Sequence, residues 1–274
     1  VNARSSICVV GHVTLDHVDS TARPGGSALY ASGVYLGAGA DVTLVTAFAQ
    51  GDAQAFDLER LSLKLSPSDA TTRFENVYDG EHARTQRLSS LASTLAPPAT
   101  GHWDVLHLAP VMTEMDPLAW LAAVDARVVG LGLQGWLRDA SPADRGRVRP
   151  KRPDSSVLAA GRDCVAFASD EDLRGLPGLL TELRQAFDLF YLTRGEAGVR
   201  VFRAGAEPED VAALHVPAVV DATGAGDAFA ACALLALAQG DDPLAAAGRG
   251  VCAAAIAITH AGAPAPRAYA STGA

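Results

Sequence analysis

Residues 221–229, Asp-Ala-Thr-Gly-Ala-Gly-Asp-Ala-Phe, followed by the apolar run 230–239, constrain this chain more than any other stretch. The small residues make a turn, and the Ala- and Leu-rich run behind it favours a helix. The first N–H groups of a helix have no internal partner, and the macrodipole adds about half a positive charge there. A turn bare of bulky side chains at that point can hold a phosphate or another anion. Asp227 adds a carboxylate that a pure phosphate cradle would avoid. Beside an anion hole, such a carboxylate suits a base that deprotonates a nucleophile attacking a bound phosphate. An ordinary glycine turn before a core helix, with Asp227 as an acid favoured by the dipole, is the other reading of the same residues. A Walker Gly-Lys-Ser/Thr is absent, and Phe229 stands where a dinucleotide fingerprint needs a third small residue.

The 274 residues, 49% hydrophobic, suit one large α/β domain spanning 1–274. A formal charge of −9 argues against nucleic acid and anionic membranes as partners but not against a nucleotide, which is bound by local groups. Without an apolar run of spanning length, and without a leader pattern in residues 1–6, the expectation is a cytoplasmic protein. Cys8, Cys164, Cys232 and Cys252 are far apart in apolar contexts and read as buried free thiols. The seven histidines show no ligand spacing, so no zinc site is expected.

Short apolar runs at 7–10, 41–47, 105–108, 127–133, 164–168, 189–193 and 199–203 alternate with helix-like runs. That alternation implies a mainly parallel sheet covered on both faces, with ligands beyond the strand C-termini. Residues 52–65 read as a helix and 243–259 as a second Ala-rich one. Residues 71–78 and 84–88 flank Asp79-Gly80, a hairpin signal, and 139–153 read as an exposed excursion.

The stretch 221–229 resembles the C-terminal signature of the ribokinase-like (PfkB) sugar and nucleoside kinases, Asp-Thr-x-Gly-Ala-Gly-Asp-x-Phe, with Ala222 the one departure. The resemblance implies a three-layer α/β/α fold with Asp227 as general base and the amides of Gly224, Ala225 and Gly226 as the anion hole. It implies substrate contacts from Asp16, Gly25, Gly26 and Tyr30, with Tyr30 where the family has asparagine. Phe74 and Arg84 are candidates from the hairpin. Gln134 and Arg138 stand in a Gln-Gly-x-x-Arg loop whose form is similar to that of plant inositol kinases. Thr193, Gly195, Gly198 and Thr223 would meet ATP phosphates, and Ala254 and Ile258 its adenine. Ser169 and Asp172 match the magnesium motif in weakened form; acidic residues at a helix start read the same way. Asp221 and Thr223, with 261–263, match a loop for a monovalent cation such as K⁺. Only eight residues separate Asp16 from Gly25, so a reduced or absent lid is expected. The implied activity is ATP- and Mg²⁺-dependent phosphorylation of a small sugar or a cyclitol of the myo-inositol kind. A nucleoside or hydroxymethylpyrimidine/pyridoxal kinase and a non-catalytic sensor are the alternatives. Oligomeric state is left open.

Overall fold

The computed structural model describes residues 4–18, 21–78, 84–97 and 101–271, the side chains of Val18, Val77, Tyr78 and Arg84 excepted. In chain order the strands are β1 (Ser6–Val10), β2 (Thr14–Val18), β3 (Thr21–Gly25), β4 (Asp41–Ala47), β5 (Ser62–Ser66), β6 (Thr72–Tyr78), β7 (Arg84–Ser90), β8 (His102–Leu108), β9 (Asp125–Gly132), β10 (Arg138–Ala140), β11 (Val148–Pro150), β12 (Cys164–Ser169), β13 (Leu189–Thr193), β14 (Val199–Arg203) and β15 (Glu209–Val211). The α-helices are α1 (Ser27–Gly37), α2 (Pro117–Ala123), α3 (Ser155–Ala160), α4 (Leu179–Ala186), α5 (Ala225–Gln239) and α6 (Pro243–Ala257).

Nine strands form the central sheet in the order β15-β14-β13-β12-β9-β8-β1-β4-β5. Neighbours are parallel from β5 through to β13, and β14 and β15 turn antiparallel at one edge. Successive strand residues point to opposite faces, and the two cores divide accordingly. Ile7, Val9, Val42 and Leu44 pack with the residues of α1, α5 and α6. Cys8, Val10, Leu106 and Leu108 pack with Trp120, Val157 and Leu183 from α2, α3 and α4. The result is the expected three-layer α/β/α arrangement. Small residues set its spacing: a Cβ at Gly130 on β9 would run into Leu234 of α5, and one at Gly250 of α6 would sit 2.7 Å from the Phe229 ring.

The strand order reverses at β1, whose neighbours are β4 and β8. A crevice beyond the strand C-termini opens at such a switch point. One buried carboxylate ties its floor together. Glu114, 1% exposed, accepts the N–H groups of His12 at 3.1 Å, Val111 at 2.9 Å and Met112 at 2.7 Å. The loop after β1 is thereby fastened to the loop after β8. Next to it the His12 ring meets the Thr72 hydroxyl at 2.8 Å and the Ser93 carbonyl at 2.9 Å.

Those last contacts lead to a second sheet, of order β3-β2-β6-β7. The expectation of a reduced or absent lid is corrected here. The short span after Asp16 does hold only a hairpin, β2–β3, but β2 also pairs in parallel with β6 of the distant β6–β7 hairpin. Two hairpins, each too small alone, make one four-stranded sheet over the crevice. Asp52 anchors it, accepting from Thr71 at 2.5 Å and holding the Arg73 guanidinium through both oxygens at 2.7 Å. At the free rim β3 carries Arg23 and Pro24. At the other rim Leu88 N–H donates to the Gly146 carbonyl at 2.8 Å.

Three other expectations change. Residues 52–65 are a 3₁₀ turn, Gln50–Ala55, and then strand β5 rather than a helix. Leu61, Leu63 and Leu65 follow period two, which suits an edge strand. Residues 139–153 are not merely an excursion, since β10 and β11 pair as a hairpin that backs β7. Cys252 is exposed on α6, whereas Cys8, Cys164 and Cys232 are buried free thiols as expected. The turn at Asp79-Gly80 lies outside the described residues. No described helix is long and apolar enough to cross a membrane.

The Glu114 clamp carries a prediction. Glu114→Ala strands three buried N–H donors, each costing about 1–3 kcal/mol, so chemical denaturation should show a loss of about 3 kcal/mol or more. Glu114→Gln, which keeps one oxygen for two of the donors, should lose less.

Candidate active site

The site is built on the start of α5. Gly224 is its N-cap, in the left-handed region at φ 80°, and a Cβ there would overlap the Tyr30 ring. Only glycine meets both demands without strain. Tyr30 itself is 4% exposed, so its ring backs the turn from below rather than presenting an open stacking surface to a substrate. Gly226 is exposed, and a Cβ on it would meet nothing within 4 Å. The space above the first turn of the helix is therefore open. Of the three amides expected to line it, that of Ala225 also makes a long turn bond to the Ala222 carbonyl, at 3.3 Å.

Asp227 lies one residue further, partly exposed but densely surrounded. Burial pushes its carboxyl up from 3.8 to about 6, and the negative charge of Asp172 adds to the rise. The Ser27 hydroxyl, which donates to it, and the Arg138 guanidinium pull the other way. Four elements thus meet at one carboxylate: α5, the start of α1, the start of β10 and the turn after β12. Tyr30 and Tyr269 also feel its charge, and burial raises both phenols first of all.

On the substrate side, Asp16 projects from β2 and accepts the Thr14 hydroxyl at 2.9 Å. A Cβ at Gly25 would come within 2.7 Å of the Asp16 carboxylate, and one at Gly26, φ 98°, would collide with the His12 carbonyl. The Gly25-Gly26 pair is thus what lets β3 turn into α1 close beside Asp16. Beyond burial, the charges of Asp221, Asp227 and Asp16 all help to raise the Tyr30 phenol, so the three acids lie within electrostatic reach of one ring. Gln134 sits partly exposed on the 3₁₀ turn Leu133–Leu137 that ends β9. Arg138 donates to the Gln86 side chain of β7 at 3.3 Å. Phe74 is 3% exposed in a small core with Val111 and Met112, so it seats the lid and offers little surface to a ligand. The side chain of Arg84 lies outside the described residues.

On the opposite side, Thr193 ends β13, its hydroxyl directed at the Ala168 carbonyl at 3.4 Å. Gly195, φ 53°, and Gly198, φ 81°, form the turn into β14, and a Cβ on Gly198 would clash with the Val211 carbonyl. Ser169 and Asp172 hold one another: Asp172 Oδ2 accepts the Ser169 N–H at 2.9 Å and its hydroxyl at 2.7 Å. No group of three His, Cys, Asp or Glu among the described residues could hold a metal. A magnesium ion riding on phosphates needs only one or two carboxylates, and Asp172 lies within electrostatic reach of Asp227. Asp221 accepts the N–H of Thr223 at 2.9 Å and that of Gly262 at 3.4 Å, which brings the 261–263 loop to the signature. Hydrogen bonds hold its carboxyl below the usual carboxylate range despite burial, its largest single influence. The amides of Val220 and Asp221 donate to the Ile258 carbonyl at 2.8 and 3.3 Å, so the end of α6, with Ala254 and Ile258 partly exposed, borders the same loop.

Four participants were not picked out from the sequence. Ser27 follows the Gly25-Gly26 pair directly, and a helix-start serine beside that pair was a usable signal. Arg23, opposite Asp16 in the β2–β3 register and close enough to favour ionised Asp221, had none. Asn76 and Gln86 lie in the hairpin that the sequence signalled, but nothing local shows that the pair faces Arg138.

The chain is similar to known proteins in sequence and in fold. Residues 162–268 match the description "pfkB family carbohydrate kinase". The bifunctional protein HldE of Caulobacter sp. (strain K31) is 32% identical over 161 residues, covering 56% of this chain and 30% of that protein. The chain therefore spans about a third of the length of that relative. Among solved structures, a pyrophosphate-dependent kinase in the ribokinase family, complexed with a pyrophosphate analog and myo-inositol, superposes with a TM-score of 0.76 at 18% identity, over 97% of this chain and 99% of that one. Arabidopsis thaliana ribokinase complexed with ribose and ATP gives 0.68 at 13% identity, over 98% and 99%. The resemblance to the ribokinase-like (PfkB) kinases holds, by sequence in the C-terminal part and by fold along nearly the whole chain.

Gly224→Ala should force φ out of the left-handed region, at about 1–2 kcal/mol, and push the Tyr30 ring aside. A lower thermal midpoint and loss of anion protection in thermal-shift assays with pyrophosphate are the expected results. Gly226→Ala, in open space, should leave the midpoint nearly unchanged.

Proposed function

We propose that the chain is a phosphotransferase that moves the terminal phosphoryl group of ATP to a hydroxyl of a small sugar or a cyclitol of the myo-inositol kind. The observation that carries the reading is the placement of Asp227: a carboxylate pushed up to about 6 inside the first turn of a helix whose N-terminal face is open. A base near that value is charged at neutral pH and still accepts a proton readily. Asp227 takes the hydroxyl proton as the oxygen attacks, and Ser27 fixes the carboxylate so that it faces the crevice. The amides at the Gly224–Gly226 turn and the Arg138 guanidinium stabilise charge on the transferring group. Asp16 on β2 orients the acceptor hydroxyls. Magnesium bound with the donor, with Asp172 as its protein neighbour, would neutralise charge between the β and γ phosphates; a monovalent cation would belong to the Asp221–Thr223 loop.

Two observations bear on the ligands. Val219 and Val220, 57% and 60% exposed, sit beside the end of α6 as an apolar surface suited to a flat base, which supports a nucleotide donor. Pyrophosphate, the donor-type ligand named for the similar kinase, would leave that surface bare, and so both donors belong in the assay. Tyr30, packed beneath Gly224, offers no free face to a substrate base, which favours a sugar or cyclitol over a nucleoside. A non-catalytic sensor has no use for a carboxylate raised toward neutrality inside an anion site.

Product formation should be measured with ATP and with pyrophosphate across a panel of sugars, cyclitols and nucleosides. Asp227→Asn should keep donor binding and lower kcat roughly 10²- to 10⁴-fold; an undiminished kcat would end the proposal. The base works only when ionised, so kcat should fall as pH drops through about 6. The same shift has a stability sign. The folded-state value lies above the unfolded one, so ionising Asp227 costs stability at pH 8 and nothing below the ordinary carboxylate value. Asp227→Asn should therefore raise the thermal midpoint at pH 8 and leave it unchanged near pH 3.5.

A further inference from the structure

The inner face of the second sheet is graded. Phe74 on β6 and Leu88 on β7 are opposite one another and enter an apolar seat with Val111, Met112, Ala140 and Val148. Two residues along each strand, on the same face, stand Asn76 and Gln86, again a registered pair. The Gln86 amide nitrogen donates to the Asn76 carbonyl oxygen at 3.3 Å, which leaves its own oxygen to accept from Arg138 Nη1, also at 3.3 Å. Arg138 opens β10, and its hairpin is fastened to the same strand β7 through the Gly146 carbonyl and the bridge between Arg87 and Arg147. Strand β7 and the hairpin that begins with Arg138 are therefore joined by both backbone and side-chain bonds.

We propose that Gln86 is a positioning residue, which holds the Arg138 guanidinium over the crevice beside Asp227 so that lid placement and charge placement are a single event. The proposal rests on the phosphotransferase reading for its catalytic consequence, but the holding of Arg138 stands on the contacts themselves. An arginine side chain loses rotamer freedom when it is fixed. Fixing it in advance spares the bound phosphoryl group that cost. An amide suits the task because it is a neutral acceptor: it orients the guanidinium without cancelling the charge that the transferring group needs. The second amide, Asn76, in turn orients the first, since a glutamine donating through its nitrogen must present its oxygen to the other side.

The test is a double-mutant cycle on the full chain with Gln86→Leu, Arg138→Met and the pair. Each protein is read by kcat, by KM for donor and acceptor, and by its affinity for inorganic pyrophosphate in calorimetry. Gln86→Leu is expected to lower kcat and pyrophosphate affinity roughly 10- to 100-fold, with the acceptor KM and the thermal midpoint little changed. In the Arg138→Met background the same substitution should have almost no further effect. Wild-type kinetics and affinity in Gln86→Leu would overturn the proposal, as would a full and independent loss in the Arg138→Met background. If the wild-type chain turned over no donor, the phosphotransferase reading would fail alone. The cycle in pyrophosphate affinity would still decide the role of Gln86, coupling supporting it and additivity overturning it.

Discussion

A carboxylate in the first turn of a helix is drawn toward ionisation by the exposed amides and pushed away from it by loss of water. At Asp227 the second effect wins by enough to bring the group near neutrality, and not by so much that it stays protonated. The rest of the molecule maintains that balance. Ser27 and Arg138 supply the opposing hydrogen bond and charge, Asp172 adds repulsion, and Gly224 in its left-handed conformation lets Tyr30 close the turn from beneath. Ser27, Arg138 and Asp172 come from three separate elements outside the nine-residue motif, so the property belongs to the assembly and not to the motif alone.

The central sheet serves this arrangement by fixing where loops end. Three buried amides converge on Glu114 and fasten the loops after β1 and β8 together at the point where strand order reverses. A carboxylate bonded by several backbone donors is a rigid fitting, and the crevice floor is correspondingly a fixed reference. Against it the second sheet is held by polar contacts: the Asp52–Arg73 pair, the Thr71 and Thr72 hydroxyls, and the His12 ring. The lid is thus attached by directional bonds and, beside them, by the small apolar seat of Phe74.

What could be read from the sequence divides along a physical line. Parallel strands covered on both faces give continuous apolar runs, so β1, β4, β12 and β13 were legible almost residue by residue. The signature turn was legible because few residues meet its backbone demands. The second sheet was not, because its defining bond network joins Thr14–His17 to Thr72–Glu75, residues with no shared local pattern. Strand β5 was misread because its leucines stand half-exposed on an edge and leave only a faint alternation. Asp16, the two glycines before α1 and Arg138 were picked out by resemblance, and the structure gathers them around the starts of α1 and α5. The buried packing of Tyr30 and Phe74 was hidden, since type and spacing do not say which way an aromatic ring is turned.

The open rim of the second sheet has a bearing on the solution behaviour of this chain. A four-stranded sheet standing proud of the main body offers unpaired backbone groups along β3, the usual invitation to edge-to-edge joining. Pro24 removes one donor from that rim, and Arg23 beside it places a charge there. The opposite rim is occupied by the Gly146 carbonyl. Both borders of the lid are thereby guarded against recruiting a foreign strand, which allows a flap to stand above a crevice without becoming the seed of an aggregate.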